Sequence, residues 1–180
     1  MNNQSKIEIE VSQGKKAVIK FVDDDENSRS IAVTERIKTF EDACAELGDS
    51  NPMVLAYREM NINLPCIRTY LKLCIITEAL NEGWEPQFTK GELRWYPWFY
   101  LCRDEDLSDK SDEWRQEHAL KDFGNYQGEW AGLASAFSYN APSGTLAYFG
   151  SRLCYKSKEL AEYSGKRFID LWADFYLIRK

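Results

Sequence analysis

An α+β fold, built from an antiparallel sheet with helices packed on one face and a long C-terminal helix among them, is what this sequence of 180 residues predicts. Residues 94–102 (RWYPWFYLC), 133–139 and 145–156 are β-type runs rich in rings and β-formers. Two further segments, one opened by Pro65 and one following Ser157, carry apolar residues at helical spacing. Helical and β-type runs do not alternate in a βαβ rhythm, which argues against a doubly wound parallel sheet, and no fixed-period repeat occurs.

In chain order, residues 6–11 (KIEIEV) alternate strictly and residues 17–22 (AVIKFV) form a second β-type run, so the two read as a hairpin turning near Gly14. The four acids Asp23, Asp24, Asp25 and Glu26 then open a polar linker; residues 1–30 are expected to form a hairpin plus tether, and residues 31–180 a single α+β domain. Thr39-Phe-Glu-Asp42 has the form of a capping box, which predicts a helix from about 40 to 47 stopped by Gly48. A further helical turn is expected around Met53 to Met60. Pro65 opens the central helix; Ile67, Tyr70, Leu71, Cys74, Ile75, Glu78 and Ala79 follow the rhythm of its inward stripe, Leu73, Ile76 and Leu80 widen it, and Gly83 offers a left-handed cap. Pro97 cannot donate to a ladder, so residues 94–102 are expected at a sheet edge. Residues 103–131 read as a polar insertion, with a helix around Ser111 to Lys121 capped by Ser111 or Asp112. Residues 133–139 and 145–156 should pair across the turn sequence Asn140-Ala-Pro-Ser-Gly144. Ser157 caps a helix expected to run to about Ile178, its inward stripe including Leu160, Ala161, Ser164, Phe168, Leu171, Trp172 and Phe175. Burying its large side chains, at about 1.5 to 3 kcal/mol each, makes that helix a chief stabiliser.

Composition narrows the function classes. With a hydrophobic fraction of 44% and an aromatic fraction of 14%, the chain can build one core. Lys and Arg number 23 against 29 for Asp and Glu, a net charge of −6, the wrong balance for coating a nucleic-acid duplex. The cysteines Cys44, Cys66, Cys74, Cys102 and Cys154 form no CxxC pair and sit in apolar segments, the pattern of free thiols in a reducing compartment. The opening Met-Asn-Asn-Gln-Ser-Lys carries no apolar export segment, and the longest apolar run, Leu73 to Thr77, is far too short to span a bilayer. The expectation is a cytoplasmic protein that does not engage a membrane.

Several strings in this order, IKTFEDACAELG (37–48), ITEALNEGWEP (76–86), YPWF (96–99) and GSRLCYKSKELAEYSGKRFIDLWADFYLI (150–178), resemble a group of uncharacterised proteins encoded by Bacteroides-type gut bacteria, their prophages and their phages. The likeness spans residues 35–180 apart from the polar stretch 103–131. It implies a setting, a mobile element in a bacterial cytoplasm or a virion, and no chemistry.

Catalytic material is sparse. His118 is the lone histidine and stands in the polar stretch, where no triad can be placed around it. Asp104, Glu105, Asp106, Asp109 and Asp112 are numerous enough for metal-dependent hydrolysis, yet acids on a loop are ordinarily solvated. Neither GxGxxG nor GxxxxGK[ST] occurs, and no cofactor is expected. Arg152, with Lys156 and Lys158, can be read as a grip for a phosphate or carboxylate, or as a strand bulge whose Arg pairs with a nearby acid. The remaining candidate is the aromatic belt of Trp84, Trp95, Tyr96, Trp98, Phe99 and Tyr100, flanked by Arg94 and Arg103. Alternation puts Trp95, Pro97, Phe99 and Leu101 on one face and Tyr96, Trp98 and Tyr100 on the other; the second face is either core or a recognition surface. The leading expectation is therefore a non-enzymatic accessory protein that binds a protein partner through Trp95, Tyr96, Trp98 and Tyr100, with Arg94, Arg103, Arg152 and Lys156 as further binding residues. Single-stranded nucleic acid binding and metal-dependent hydrolysis are the alternatives, and the oligomeric state stays open.

Overall fold

The computed structural model describes residues 33–62, 64–87, 89, 91–126, 130–142 and 151–177. The expected hairpin and linker of residues 1–30 lie outside the described residues, as do residues 143–150 of the expected second hairpin. Residues 33–36 are helical, and helix α1 follows at Phe40–Leu47. Its capping box forms as expected: Thr39 Oγ1 accepts from the Asp42 amide at 3.0 Å while Asp42 Oδ2 accepts from the Thr39 amide at 2.8 Å. Gly48, at φ 81°, ends it. Helix α2 spans Pro52–Glu59, a full two turns, because Asn51 caps the amides of Met53 and Val54 and Pro52 sits in the first turn, where its missing N–H costs nothing.

Helix α3, Pro65–Asn81, is the central helix. From Leu73 onward almost every residue is buried, so it is covered on more than one side, as its wide stripe predicts. The left-handed cap falls one residue earlier than expected, on Glu82 at φ 50°, with Gly83 also at positive φ. A non-glycine residue tolerates this backbone only when its surroundings hold it there. Here Arg36 Nη2 reaches Glu82 Oε1 at 3.0 Å and Lys156 Nζ reaches Oε2 at 2.9 Å, so one carboxylate ties three parts of the chain together.

Strand β1 (Leu93–Arg103) leads through the short helices α4 (Asp104–Ser108) and α5 (Asp112–Glu117, capped by Ser111) to strands β2 (Lys121–Tyr126) and β3 (Trp130–Pro142). The sheet is antiparallel, in the order β1-β3-β2, with β1 at an edge as Pro97 requires. The polar stretch 103–131 thus supplies a strand of the sheet as well as two helices. Downstream, the expected β-run 145–156 is not a strand where it is described: Ser151–Leu153 is a 3-10 turn, and only Tyr155 bridges to Trp95. The physical reason is that Leu153, Cys154 and Tyr155 are all fully buried, which a half-solvated alternating strand does not allow. On the side of this segment away from β1, the Asn81 side chain replaces a neighbouring strand, donating to Cys154 O at 2.8 Å and accepting from the Lys156 amide at 3.0 Å.

The long C-terminal helix is two shorter ones, α6 (Lys158–Arg167) and α7 (Ile169–Tyr176), broken at Phe168, whose ψ of 31° leaves the helical region. Ser157 caps α6 as expected. Helix α6 lies against β1 and β3 at Gly165, where a Cβ would stand only 3.0 Å from Pro97 Cβ. Beyond the break, Ile169 and Ala173 of α7 pack on Leu133 of β3, and Trp172 is fully buried. Among the described residues no helix is long and apolar enough to cross a membrane.

One polar knot runs through the interior. The Tyr155 hydroxyl donates to Ser164 Oγ at 2.6 Å and lies 2.9 Å from Thr77 Oγ1, while Trp172 Nε1 donates to Ser164 Oγ at 3.2 Å. It joins α3, the segment after the 3-10 turn, α6 and α7, and every one of these side chains is buried. Burial drives the Tyr155 phenol well above its ordinary pKa, so it stays a neutral donor. Replacing Tyr155 by Phe takes the hydroxyl partner from Thr77 and leaves Ser164 with Trp172 alone; the expected cost is about 1 to 3 kcal/mol, measured as a lower urea midpoint with an unchanged slope.

Acid titration reads the ionic staple. Burial alone would raise the Glu82 carboxyl, but the hydrogen bonds from Lys156 and Arg36 overcome it and hold it below its ordinary 4.5. A carboxylate depressed on folding adds stability above its unfolded pKa and loses it as the pH falls through the folded value. Thermal melts should therefore drop below about pH 4.5, and Glu82→Gln should lower the neutral-pH Tm while flattening that acid limb.

Candidate functional site

Both faces of the N-terminal half of β1 are covered, and its C-terminal half is open. On one face Trp95 packs on the main core, Pro97 meets Gly165 of α6, and Phe99 stacks near Trp172, with centroids 5.7 Å apart. On the other, Tyr96 is 1% exposed and packs with Cys154 and Trp84, and Arg94 is fully buried beside Cys154. The alternation read from the sequence holds for Trp95, Pro97 and Phe99 against Arg94 and Tyr96, whereas Trp98 lines the α7-side cleft, and exposure does not follow the alternation. Arg94, Tyr96 and largely Trp95 are interior, a correction to their expected role in a binding platform. What remains open is centred on Tyr100 and Leu101, each 46% exposed.

A β-bulge marks the change. Trp98 pairs with Phe137 but Phe99 pairs with Ser135, leaving Ala136 of β3 without a partner on β1, and a second shift follows between Cys102 and Arg103. Bulges increase twist and turn a strand away from its neighbours' plane. Two clefts flank the strand past the first bulge. One, of about 220 Å³, lies on the α7 side between Trp98, Phe99, Leu101, Leu133, Tyr176 and Leu177. The other, of about 300 Å³, lies on the opposite face between Tyr100, Leu101, Asp106, Lys110 and Trp114, above the buried Cys102.

The second cleft takes its walls from the polar stretch. Trp114 stacks on His118 at 4.2 Å and 16°, Tyr100 stands 6.4 Å from Trp114, and the Lys110 ammonium sits 4.9 Å from the Trp114 ring centre. His118 Nδ1 lies 2.9 Å from Trp114 O, a carbonyl that only accepts, so this nitrogen carries the proton. His118 therefore closes the end of α5. Arg103 is gripped by Glu105 at 2.6 Å and by Asp106 at 3.0 Å, and its hydrogen bonds hold the Asp106 carboxyl below its ordinary range. Among the described residues, no three His, Cys, Asp or Glu side chains converge as a metal ion would need.

The structure does not assemble Arg152 and Lys156 into one grip. Lys156 is engaged by Glu82, and Lys158 lies 3.8 Å from Glu162. Arg152 is exposed on the 3-10 turn, near Tyr70 and Cys74. Trp114 and Tyr176 are the site residues that sequence reasoning missed. The signal for Trp114 was a lone indole in a polar run behind an N-cap serine; Tyr176 was hidden by the expectation of one straight helix.

Comparison with protein-family models, with curated proteins and with solved structures found no match to this chain. The class that fold and site define is thus an α+β domain with an aromatic edge strand between two clefts.

Burial raises the thiols of Cys44, Cys74 and Cys102 and pushes Cys154 up to about 11, whereas Cys66 is exposed at the start of α3. A disulfide reagent at pH 8 should accordingly titrate one thiol rapidly in the native protein and the other four only after unfolding. Rapid reaction of Cys102 would show that the floor of the second cleft is open.

Proposed function

We propose that this is a non-enzymatic accessory protein of a phage or integrated element, acting in the bacterial cytoplasm by binding a protein partner through the C-terminal half of β1. The observation that carries this reading is the gathering of exposed apolar side chains there: Tyr100 and Leu101 at 46% and Tyr176 at 36%. They border two clefts on one strand. Aromatic side chains on the rim of a pocket are the usual anchors of protein interfaces. The resemblance of its sequence strings to proteins of phages and prophages supports the setting.

Charge favours protein over nucleic acid. The chain is net −6, Arg103 is tied to Glu105 and Asp106, and Lys121 is paired with Asp170 at 2.9 Å, which among the described residues leaves Lys110 as a single cation in the second cleft, too little for a phosphate backbone. The test is in-cell crosslinking with the native chain and with Leu101→Asp, paired with thermal melts of both. A partner captured by the native chain and reduced about tenfold or more in the variant, at matched Tm, is the expected outcome. Equal capture by both overturns the surface assignment. Oligonucleotide binding that falls log-linearly with salt makes this a single-strand binder instead. A Tm raised by manganese or magnesium points to a metal-dependent hydrolase.

A further inference from the structure

The backbone of the same strand narrows what that partner is. Trp95 gives both its N–H and its C=O to Tyr155, at 3.0 and 2.8 Å, on the edge of β1 away from β3. In an antiparallel strand these groups alternate in direction from residue to residue, so those of Phe99 and Leu101 face the same outer edge. Pro97, which shares that parity, has no N–H to leave exposed. Among the described residues no strand continues along this edge past the Trp95–Tyr155 bridge. The outward groups of Phe99 and Leu101 lie between the two clefts, which share Leu101 and sit on opposite faces of the sheet, and beyond them the Arg103 amide is taken by Asp106 Oδ2 at 3.1 Å.

We infer that the partner supplies an extended peptide segment that adds to the outer edge of β1, with adjacent side chains entering the two clefts. Successive side chains of an added strand point to opposite faces, so a residue in the α7-side cleft puts its neighbour in the Tyr100–Trp114 cleft. The first cleft, walled by Phe99, Leu133, Tyr176 and Leu177, takes a large apolar side chain. The second takes an acidic one: Lys110 makes no ion pair among the described residues, while Asp106 is already bound by Arg103. A second copy of this chain pairing β1 to β1 fits less well, because its Phe99 and Leu101 are walls of its own cleft and leave these clefts unfilled.

This inference rests on the protein-binding reading of the same surface, and its test separates the two. Random heptapeptides would be displayed against the full chain, and the selected sequences resynthesised with single N-methyl groups at each amide. Enriched peptides should pair a large apolar residue with an adjacent acid. Methylation of alternate amides should weaken binding about fivefold or more while the intervening amides tolerate it. Leu101→Pro, which deletes the outward N–H as Pro97 already does, should weaken binding beyond Leu101→Ala; Lys110→Gln should erase the preference for the acid. Binding lost in Leu101→Asp yet indifferent to N-methylation overturns strand addition and leaves the surface reading standing. Peptides that ignore every one of these variants overturn both. A selection that yields no binder, or a chain that is dimeric until Leu101→Asp makes it monomeric, overturns the peptide assignment.

Discussion

The hydroxyl of Tyr155 is the point on which the interior turns. A phenol buried without partners costs several times what a satisfied one does, so this tyrosine is compatible with the core only where Thr77 and Ser164 meet it. Ser164 in turn receives the indole N–H of Trp172. The backbone of the same residue is pinned to Trp95, and the Asn81 side chain grips the residues on either side of it. A single short segment therefore fixes where the central helix, the two C-terminal helices and the edge strand sit relative to one another. Apolar contacts among Leu73, Ile76, Leu80, Leu160 and Phe168 supply the bulk of the burial around that knot. The directional bonds select one arrangement from the many that would bury the same area.

That arrangement explains why the aromatic strand divides. Its first half is trapped between the C-terminal helices and the Cys154 segment, which commits Arg94, Tyr96 and Pro97 to the interior. Its second half passes the bulge at Ala136 and emerges beside helices that are too short to cover it. The part of the sheet that the core does not claim is the part left exposed.

The local signals in the sequence were legible because each acts over a few residues. The Thr39–Asp42 box, the serine caps at 111 and 157, and proline at the head of the central helix all lie where local chemistry puts them. What escaped a linear reading acts over distance. The bulge that changes the fate of β1 is an extra residue on β3, so nothing within residues 94–102 announces it. The burial of Leu153 to Tyr155 depends on an asparagine more than seventy positions earlier. The break at Phe168 contains neither glycine nor proline, and beyond it α7 lies on Leu133, far away in sequence. Half of the second cleft was unreadable for the same reason, since Trp114 acquires its place only when a polar stretch folds back along the sheet.

The glycine at 165 has a bearing on how this chain can change over generations. A glycine in mid-helix sacrifices about 1 kcal/mol relative to alanine, and here it lets the helix axis approach the proline ring of the edge strand. Positions 165 and 97 are therefore not independent: any side chain gained at one must be matched by atoms given up at the other. Drift at this waist should favour paired replacements, since a side chain gained at 165 alone obliges the strand beneath it to give by a few tenths of an ångström.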